Sequence, residues 1–235
     1  MKYKTLIKKL KLTDEDFSTI KAAVKEVEKQ TESEIAVVIT PESAHYSFWE
    51  LLASNILAAL VLFVMLPFSE KIREVYSLLY WHNAPSWIVP ACFIISCFAS
   101  VAIGFYLTNI PAIDRLIIPR HVKKTCVTNF SFRYFLKSGI YKTKNHSGIL
   151  IFISYLEHQV RIVADEGIAS KISQDLWNLI ADELAEEIKK GNTTTAITNA
   201  VGKCGELLKE HYPRVTEKIN EIDDSLVILE DSECE

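Results

Sequence analysis

Three carboxylates lie beside predicted strand ends, where they could support metal-dependent chemistry. Glu34 opens the apolar run Glu34–Thr40, and Asp165 and Glu166 directly follow the run Val160–Ala164. If these strands are neighbours with the three residues at one sheet end, their side chains converge. Calcium and magnesium take carboxylate oxygens as ligands, and a bound cation can neutralise the charge of a phosphate. The sequence therefore offers Glu34, Asp165 and Glu166 as metal ligands, and Glu34 and Asp165 as catalytic candidates for phosphomonoester hydrolysis.

A structural role for the same residues stays open. Asp165 precedes Gly167 in an Asp-x-Gly pattern, which is typical of turns and helix N-caps. In that interpretation Asp165 caps a helix that begins near Ile168, and Gly167 takes a positive φ. Glu34 has an equivalent alternative, in which its carboxylate accepts hydrogen bonds from backbone amides at the strand start.

Other reactive residue types lack partners at the spacing that chemistry requires. Ser147-Gly148 is not part of a G-x-S-x-G nucleophile turn, and no phosphate loop or G-x-G-x-x-G occurs. The five cysteines include no CxxC pair, which argues against a zinc or dithiol site and fits a reducing compartment. Four histidines have no ligand-spaced partner and are expected to be surface or packing residues: His121, His146, His158 and His211.

The elements that must position the carboxylates form a sheet flanked by helices. Apolar residues at helical spacing predict helices at Thr13–Gln30, Ser173–Lys190 and Thr194–Tyr212, and a helical stretch at Ala112–Lys137 broken at Pro119. Thr13 and Asp16 form a variant capping box. β-branched runs predict strands at Glu34–Thr40, Gly148–Tyr155 and Val160–Ala164, the last two pairing as an antiparallel hairpin. The fold class is therefore α/β.

Two long apolar stretches interrupt this soluble pattern. Phe48–Phe68 carries one acid, and Trp87–Ile110 carries no charge. About 20 apolar residues in a helix cross the hydrocarbon of a bilayer, so each stretch is long enough. We expect residues 1–47 and 111–216 to form one soluble domain, residues 48–110 a transmembrane hairpin, and residues 217–235 an acidic tail.

The distribution of Lys and Arg orients the hairpin. Four of these residues follow the second apolar stretch, whereas the loop Ser69–Ser86 carries only Lys71 and Arg73. By the positive-inside rule, both termini and the soluble domain lie in the cytoplasm. The segment 1–14 has no apolar h-region, so the first stretch is the expected targeting signal. Trp49, Trp81 and Trp87 lie near the stretch ends, as interfacial anchors do.

Polar residues within the two stretches predict how the helices associate. Ser54, Asn55, Ser96 and Ser100 are expected to hydrogen-bond the two spans to each other. Gly104 lies four residues after Ser100, a spacing of small residues that favours close helix packing. No ionisable residue lies deep in either stretch, which argues against an ion path.

Several short motifs, in their order and spacing, resemble those of the TPM domain family. They are Leu12-Thr13, Thr31-x-x-Glu34-Ile35, Thr143 with Ser147-Gly148-Ile149-Leu150, Glu157-x-x-Val160, Asp165-x-Gly167-Ile168, Trp177, Cys204-Gly205 with Tyr212-Pro213, and Asn220-Glu221. The chain resembles the bacterial branch of that family, in which a transmembrane hairpin is inserted into the domain.

The resemblance implies an α/β sandwich with a mixed four-stranded sheet. It also implies an acid-phosphatase-like activity, known for plant members, and the binding of a divalent metal. The chain departs from the family pattern at one place: His146-Ser147 stands where an Asp-Asn pair often precedes the glycine. That difference removes one carboxylate.

The favoured function is a non-enzymatic accessory or scaffold protein of the bacterial inner membrane. Its expected partners are the lipid bilayer and a protein that binds the cytoplasmic domain, and a homo-oligomer through the hairpin is a further option. A net charge of −4 gives no support to nucleic-acid binding. One alternative is a metal-assisted phosphomonoesterase with calcium or magnesium. Another is an oligomeric pore, against which the uncharged spans argue.

Overall fold

The computed structural model describes residues 3–108, 110–143, 146–214 and 224–229. The chain divides into two compact units. Unit 1 comprises Met1–Ala44 and Arg120–Glu235, and unit 2 comprises His45–Pro119. The predicted acidic tail, residues 217–235, lies outside the described residues except for 224–229.

Unit 1 is built on a four-stranded mixed sheet with the order β3-β2-β1-β4. β1 pairs in parallel with both β2 and β4, and β2 pairs antiparallel with β3. The predicted β2–β3 hairpin and the predicted mixed sheet are therefore confirmed. The strands are β1 Glu34–Thr40, β2 Gly148–Ser154, β3 Gln159–Ala164 and β4 Val227–Ile228.

Helices cover both faces of this sheet. Alternate residues of β1 and β2 enter a large core with apolar side chains of α1, α2, α9 and α10. The other residues of these strands pack on α7, where the rings of Phe130 and Phe152 lie 5.4 Å apart. Both faces of β1 and β2 are thus buried, which explains their continuous apolar sequences. The helices are α1 Tyr3–Leu10, α2 Asp14–Glu28, α7 Arg120–Lys137, α8 Glu166–Ala169, α9 Gln174–Lys189 and α10 Thr193–His211.

The predicted helix start and end signals in unit 1 are confirmed, and α1 is not predicted from the sequence. Thr13 caps α2 in a capping box with Asp16, and Gly191 follows α9 with φ 90°. Lysines dominate the sequence of α1, which hid its helical character. Leu6 and Leu10 of α1 are nevertheless buried in the core.

Unit 2 contains the two apolar helices, α3 Ser47–Met65 and α5 Ile88–Thr108. Both are long and apolar enough to cross a membrane. The predicted loop between them is largely helical, because a 3₁₀ turn at Leu66–Phe68 leads from α3 into α4 Ser69–Tyr80. α6 Pro111–Ile117 ends the unit, so the predicted break at Pro119 is confirmed.

α3 and α5 pack closely, but the predicted hydrogen bonds between them are wrong. A Cβ on Gly104 would lie 3.1 Å from the Cα of Ser54, so the small residue permits the contact. The hydroxyls and amide predicted to bridge the helices each donate to a carbonyl of their own helix. These bonds run from Ser54 to Glu50, Asn55 to Leu51, Ser96 to Phe93 and Ser100 to Ser96. A local carbonyl satisfies each donor without an interhelical partner.

Candidate functional site

Glu34 and Asp165 lie at the same end of the sheet, on either side of Gly148. Glu34 pairs with Gly148 in the parallel β1–β2 ladder, and the Asp165 N–H donates to the Gly148 carbonyl at 2.9 Å. β-strands are spaced about 4.8 Å apart, so roughly 10 Å of sheet separates the two backbones. The predicted alignment of strand ends thus holds, with β2 between the two acids.

Gly148 is required for this arrangement by a close backbone approach. A Cβ there would lie 2.4 Å from the Ile140 carbonyl oxygen, closer than any side chain tolerates. The chain enters β2 through Ser147, whose N–H donates to Thr143 Oγ1 and whose hydroxyl donates to the Glu32 carbonyl. These bonds fix the start of β2 against the start of β1.

Glu34 lies in a group of three buried carboxylates with Glu28 and Asp224. One carboxylate oxygen from each residue lies within 4.8 Å of the other two. Glu28 ends α2, and its Oε1 accepts the N–H of Ile35 at 2.8 Å. Asp224 lies shortly before β4. Three oxygen donors of this kind match the ligand preference of calcium and magnesium.

Asp165 and Glu166 lie outside that group in the part of the chain that the structure describes. Asp165 caps α8, since its Oδ1 accepts the N–H of Glu166 at 2.8 Å. The capping role weighed for Asp165 is therefore confirmed. The positive φ suggested for Gly167 is wrong, because that residue lies within α8. Glu166 is exposed on the first turn.

The residue that replaces the family's acid contacts Asp165 directly. His146 has a left-handed backbone, with φ 47°, and its Nδ1 lies 3.5 Å from Asp165 Oδ2. The imidazole is largely exposed and the carboxylate is largely buried. An imidazole nitrogen therefore lies beside the Asp165 carboxylate.

Part of the chain matches the model of a known protein family. Residues 113–207 match the model of the TPM domain. This segment of the chain is therefore similar to the TPM domain. The match includes Asp165 and Glu166, whereas Glu28, Glu34 and Asp224 lie outside the matched residues.

The fold of the chain has a counterpart among solved structures. It is similar to the NMR structure of the BA42 protein from the psychrophilic bacterium Bizionia argentinensis, with a TM-score of 0.54 and 16% sequence identity. The alignment covers 92% of this chain and 94% of BA42. No curated protein matches the chain in sequence. The likeness to BA42 therefore concerns the fold alone.

Unit 1 carries a groove between α9 and α10, away from the strand ends. The groove has a volume of about 850 Å³. Beneath it lie the core residues Ile180, Leu184, Ala196 and Ala200, each at most 5% exposed, and Leu179 of α9 is 60% exposed beside it. Five acidic and two basic side chains also line the groove: Asp182, Glu183, Glu186, Glu187, Glu206, Lys190 and Lys203. The groove thus combines an exposed leucine with an excess of negative charge.

Several acidic side chains of the groove form ion pairs with nearby lysines. Lys203 of α10 pairs with Glu183 of α9 across the groove. Along α9, Lys190 pairs with Glu187 at 2.6 Å. Hydrogen bonding to Glu187 raises the pKa of Lys190, and that to Lys189 lowers the pKa of Glu186. These groups therefore stay charged at neutral pH.

A second polar cluster lies at the opposite end of β2. Glu157, in the β2–β3 turn, is buried; its Oε1 accepts the Ser43 N–H at 2.8 Å, and its Oε2 accepts the Ser154 hydroxyl. The Ser43 hydroxyl in turn donates to Ser154 Oγ at 2.9 Å. The sequence does not indicate this cluster, because Ser43 is distant from Glu157 along the chain. The cluster binds the turn to the segment that follows β1.

Proposed function

We propose that this protein is an accessory module of the bacterial inner membrane, anchored by the α3–α5 hairpin and binding a protein partner through unit 1 in the cytoplasm. The acidic groove between α9 and α10 is the observation that carries the binding role. An exposed leucine beside an open groove with net negative lining has the chemistry of a contact surface.

The exposure of the apolar helices supports membrane anchoring. Only 11% of the most apolar window of the α3–α4 helix is buried, and only 6% of that of α5. A core helix of a soluble protein would bury most of such a window. Lipid tails provide the apolar contact that these side chains require.

Alkaline extraction and thiol labelling test the anchor and its orientation. We expect the chain to stay with membranes after carbonate washing. In intact spheroplasts, a membrane-impermeant maleimide should label a Ser86→Cys variant, which lies between the spans, and spare Cys126 until the cells are lysed. Release by carbonate would contradict the anchor. Labelling of Cys126 in intact spheroplasts would reverse the orientation.

The groove best fits a basic amphipathic helix of a partner protein. Leu179 would contact the apolar face of such a helix, as apolar anchors do in other helix-in-groove complexes. Lysines or arginines flanking that face would lie near Asp182, Glu206 and the other groove carboxylates. Complementary charge of this kind increases association rate and selectivity.

A pair of designed peptides tests the required charge. One is an amphipathic helix of leucine and lysine, and the other has glutamate in place of each lysine. Binding is measured with the full-length protein in nanodiscs, with empty nanodiscs as the blank. We expect the basic peptide to bind at least tenfold more tightly, with affinity that falls as salt rises. Equal binding of both peptides to the protein above the blank would contradict the groove assignment.

A second candidate function is the binding of a divalent cation by Glu28, Glu34 and Asp224. Burial of all three residues favours an ion with a structural role, since closed sites stabilise folds and catalytic sites keep an open position. Such an ion would hold the segment before β4 against β1. It would also offset the cost of burying three carboxylates close together.

Calorimetry with calcium and with magnesium tests this candidate. We expect the wild-type chain to bind one ion and to melt at a higher temperature with it, and Glu34→Gln to lose both effects. Glu26→Gln is the matched control, because Glu26 is an exposed acid on the same helix as Glu28. An equal response of all three proteins would exclude the site.

The phosphomonoesterase alternative retains a direct test. The predicted set of Glu34, Asp165 and Glu166 would have to act across β2. Hydrolysis of a generic phosphomonoester by the full-length protein, lost in a Glu34→Ala/Asp165→Ala variant that still folds, would establish that alternative. Absence of hydrolysis with calcium or magnesium present would favour the binding module.

A further inference from the structure

The helical segment from α3 to α4 is much longer than a bilayer requires. Ser47–Tyr80 comprises 34 residues and is about 51 Å long at 1.5 Å per residue. α3 alone is about 28 Å and α5 about 31 Å, and either length matches the roughly 30 Å of hydrocarbon. α4 is therefore not needed for the chain to cross the bilayer.

α4 has two chemically different faces. Ile72, Val75, Tyr76 and Leu79 follow the i, i+3, i+4, i+7 spacing of one helix face. The opposite face carries Glu70, Arg73, Glu74 and Ser77. This pattern is that of an amphipathic helix.

The apolar face of α4 is largely exposed, although Ile72 and Tyr76 are half-buried. Val75 is 62% exposed and Leu79 is 69% exposed, and none of the twelve residues of α4 is buried. Trp81, at the C-cap, is 91% exposed and has a left-handed backbone. Single exposed apolar residues are normal, but an exposed stripe continuous with a membrane-length helix requires a covering surface.

We propose that α4 lies in the interface of the same bilayer that α3 and α5 cross, with its apolar face among the acyl chains. The inference rests on the proposed membrane anchoring. In this arrangement the helix must change direction between α3, which crosses the bilayer, and α4, which lies along its surface. Pro67 lies in the 3₁₀ turn between them, and proline is a common cause of helix kinks.

The remaining side chains of α4 suit the headgroup region. Lys71 lies at the border of the two faces, and its Nζ is 5.9 Å from the ring centre of Phe68. A lysine in that position can bury its stem and extend its ammonium group toward lipid phosphates. The rings of Tyr76 and Tyr80 stack 4.8 Å apart, and Trp81 follows. Tyrosine and tryptophan are enriched at this depth of a membrane.

Single-cysteine scanning of the full chain tests the proposal. All five native cysteines are replaced, Cys92, Cys97 and Cys204 by alanine and Cys126 and Cys234 by serine. One cysteine is then introduced as Val75→Cys, Leu79→Cys, Arg73→Cys or Ser77→Cys. Each protein is placed in nanodiscs of equal parts phosphatidylcholine and phosphatidylglycerol. The reaction rate with a water-soluble maleimide is then measured, with denatured protein as the reference.

We expect the thiols at 75 and 79 to react on the order of tenfold more slowly than those at 73 and 77, as an interfacial helix requires. Equal rates at all four positions would overturn the proposal. Protection of 75 and 79 that disappears when the protein-to-nanodisc ratio is lowered would also overturn it, because a second copy would then cover the face. Failure of the chain to enter nanodiscs would instead refute the membrane anchor.

Discussion

Ser43 donates its backbone N–H to the buried carboxylate of Glu157 at 2.8 Å. Ser43 is the last residue but one of the first segment of unit 1, which ends at Ala44. The carboxylate also accepts the hydroxyl of Ser154 at the end of β2. Glu157 therefore links the β2–β3 turn to Ser43, close to where the chain leaves unit 1. A buried carboxylate requires such donors, because its desolvation would otherwise be costly.

Loss of the Glu157 carboxylate should destabilise unit 1. We expect Glu157→Ala to lower the free energy of unfolding by about 1.5–3 kcal/mol, since hydrogen bonds to a charged group are lost and two buried donors lose their acceptor. Glu187→Gln, on the surface of α9, is the control and should change stability by less than about 0.5 kcal/mol. Thermal and urea unfolding of the detergent-purified chain measure the difference. Equal effects of both variants would show that the cluster carries no stability.

Two glycines of α10 should respond oppositely to the same substitution. A Cβ on Gly205 would lie 2.7 Å from a methyl group of Val27, whose β-branched side chain has little freedom to move. A Cβ on Gly202 meets no heavy atom within 4 Å. We expect Gly205→Ala to cost about 1–3 kcal/mol by overpacking and Gly202→Ala to add about 1 kcal/mol through helix propensity. A stabilised Gly205→Ala protein would contradict the packing of α2 on α10.

The thiol of Cys204 should be unreactive in the folded protein. Burial raises its pKa to about 12, so the nucleophilic thiolate is scarce at pH 8. Mass spectrometry after brief iodoacetamide treatment should find Cys204 unmodified and the partly exposed Cys126 modified. Both should react in denaturant. Rapid native labelling of Cys204 would show that α10 opens readily.

Acidification should weaken the cap of α2. Hydrogen bonds from Thr13, with a further contribution from Thr194, lower the pKa of Asp16 below its usual 3.8. Because the folded-state pKa is the lower one, this stabilisation is present above pH 3.8 and is lost as the pH falls through the folded-state value. The melting-temperature difference between wild type and Asp16→Asn should therefore be larger at pH 6 than at pH 3. A constant difference would exclude the charged cap.

Local patterns in the sequence predict much of unit 1. Thr13 and Asp16 mark the start of α2, and the short turn between two β-branched runs marks the β2–β3 hairpin. These signals act over a few residues. β4, by contrast, is only two residues long within an acidic segment, and its pairing with β1 is set by tertiary contacts.

The candidate sites were less predictable, because their members are distant along the chain. Glu34 and Asp165 stood out beside predicted strand ends, and the strand register places both residues at the same end of the sheet. Glu28 resembles any polar residue of an amphipathic helix, and Asp224 any acid of the tail. Only the folded chain brings these two to Glu34. The groove likewise depends on how α9 and α10 pack side by side.

Filling the groove tests the binding role most directly. Gly202 lines the groove and has open space at its Cβ, so Gly202→Trp should block the groove while the fold is retained. Titration of the basic amphipathic peptide against Gly202→Trp and the matched Gly202→Ala protein, both full-length in nanodiscs, gives the affinities. We predict at least tenfold weaker binding to the tryptophan variant, about 1.4 kcal/mol, with the alanine variant close to wild type. Equal affinity of all three proteins would contradict the account.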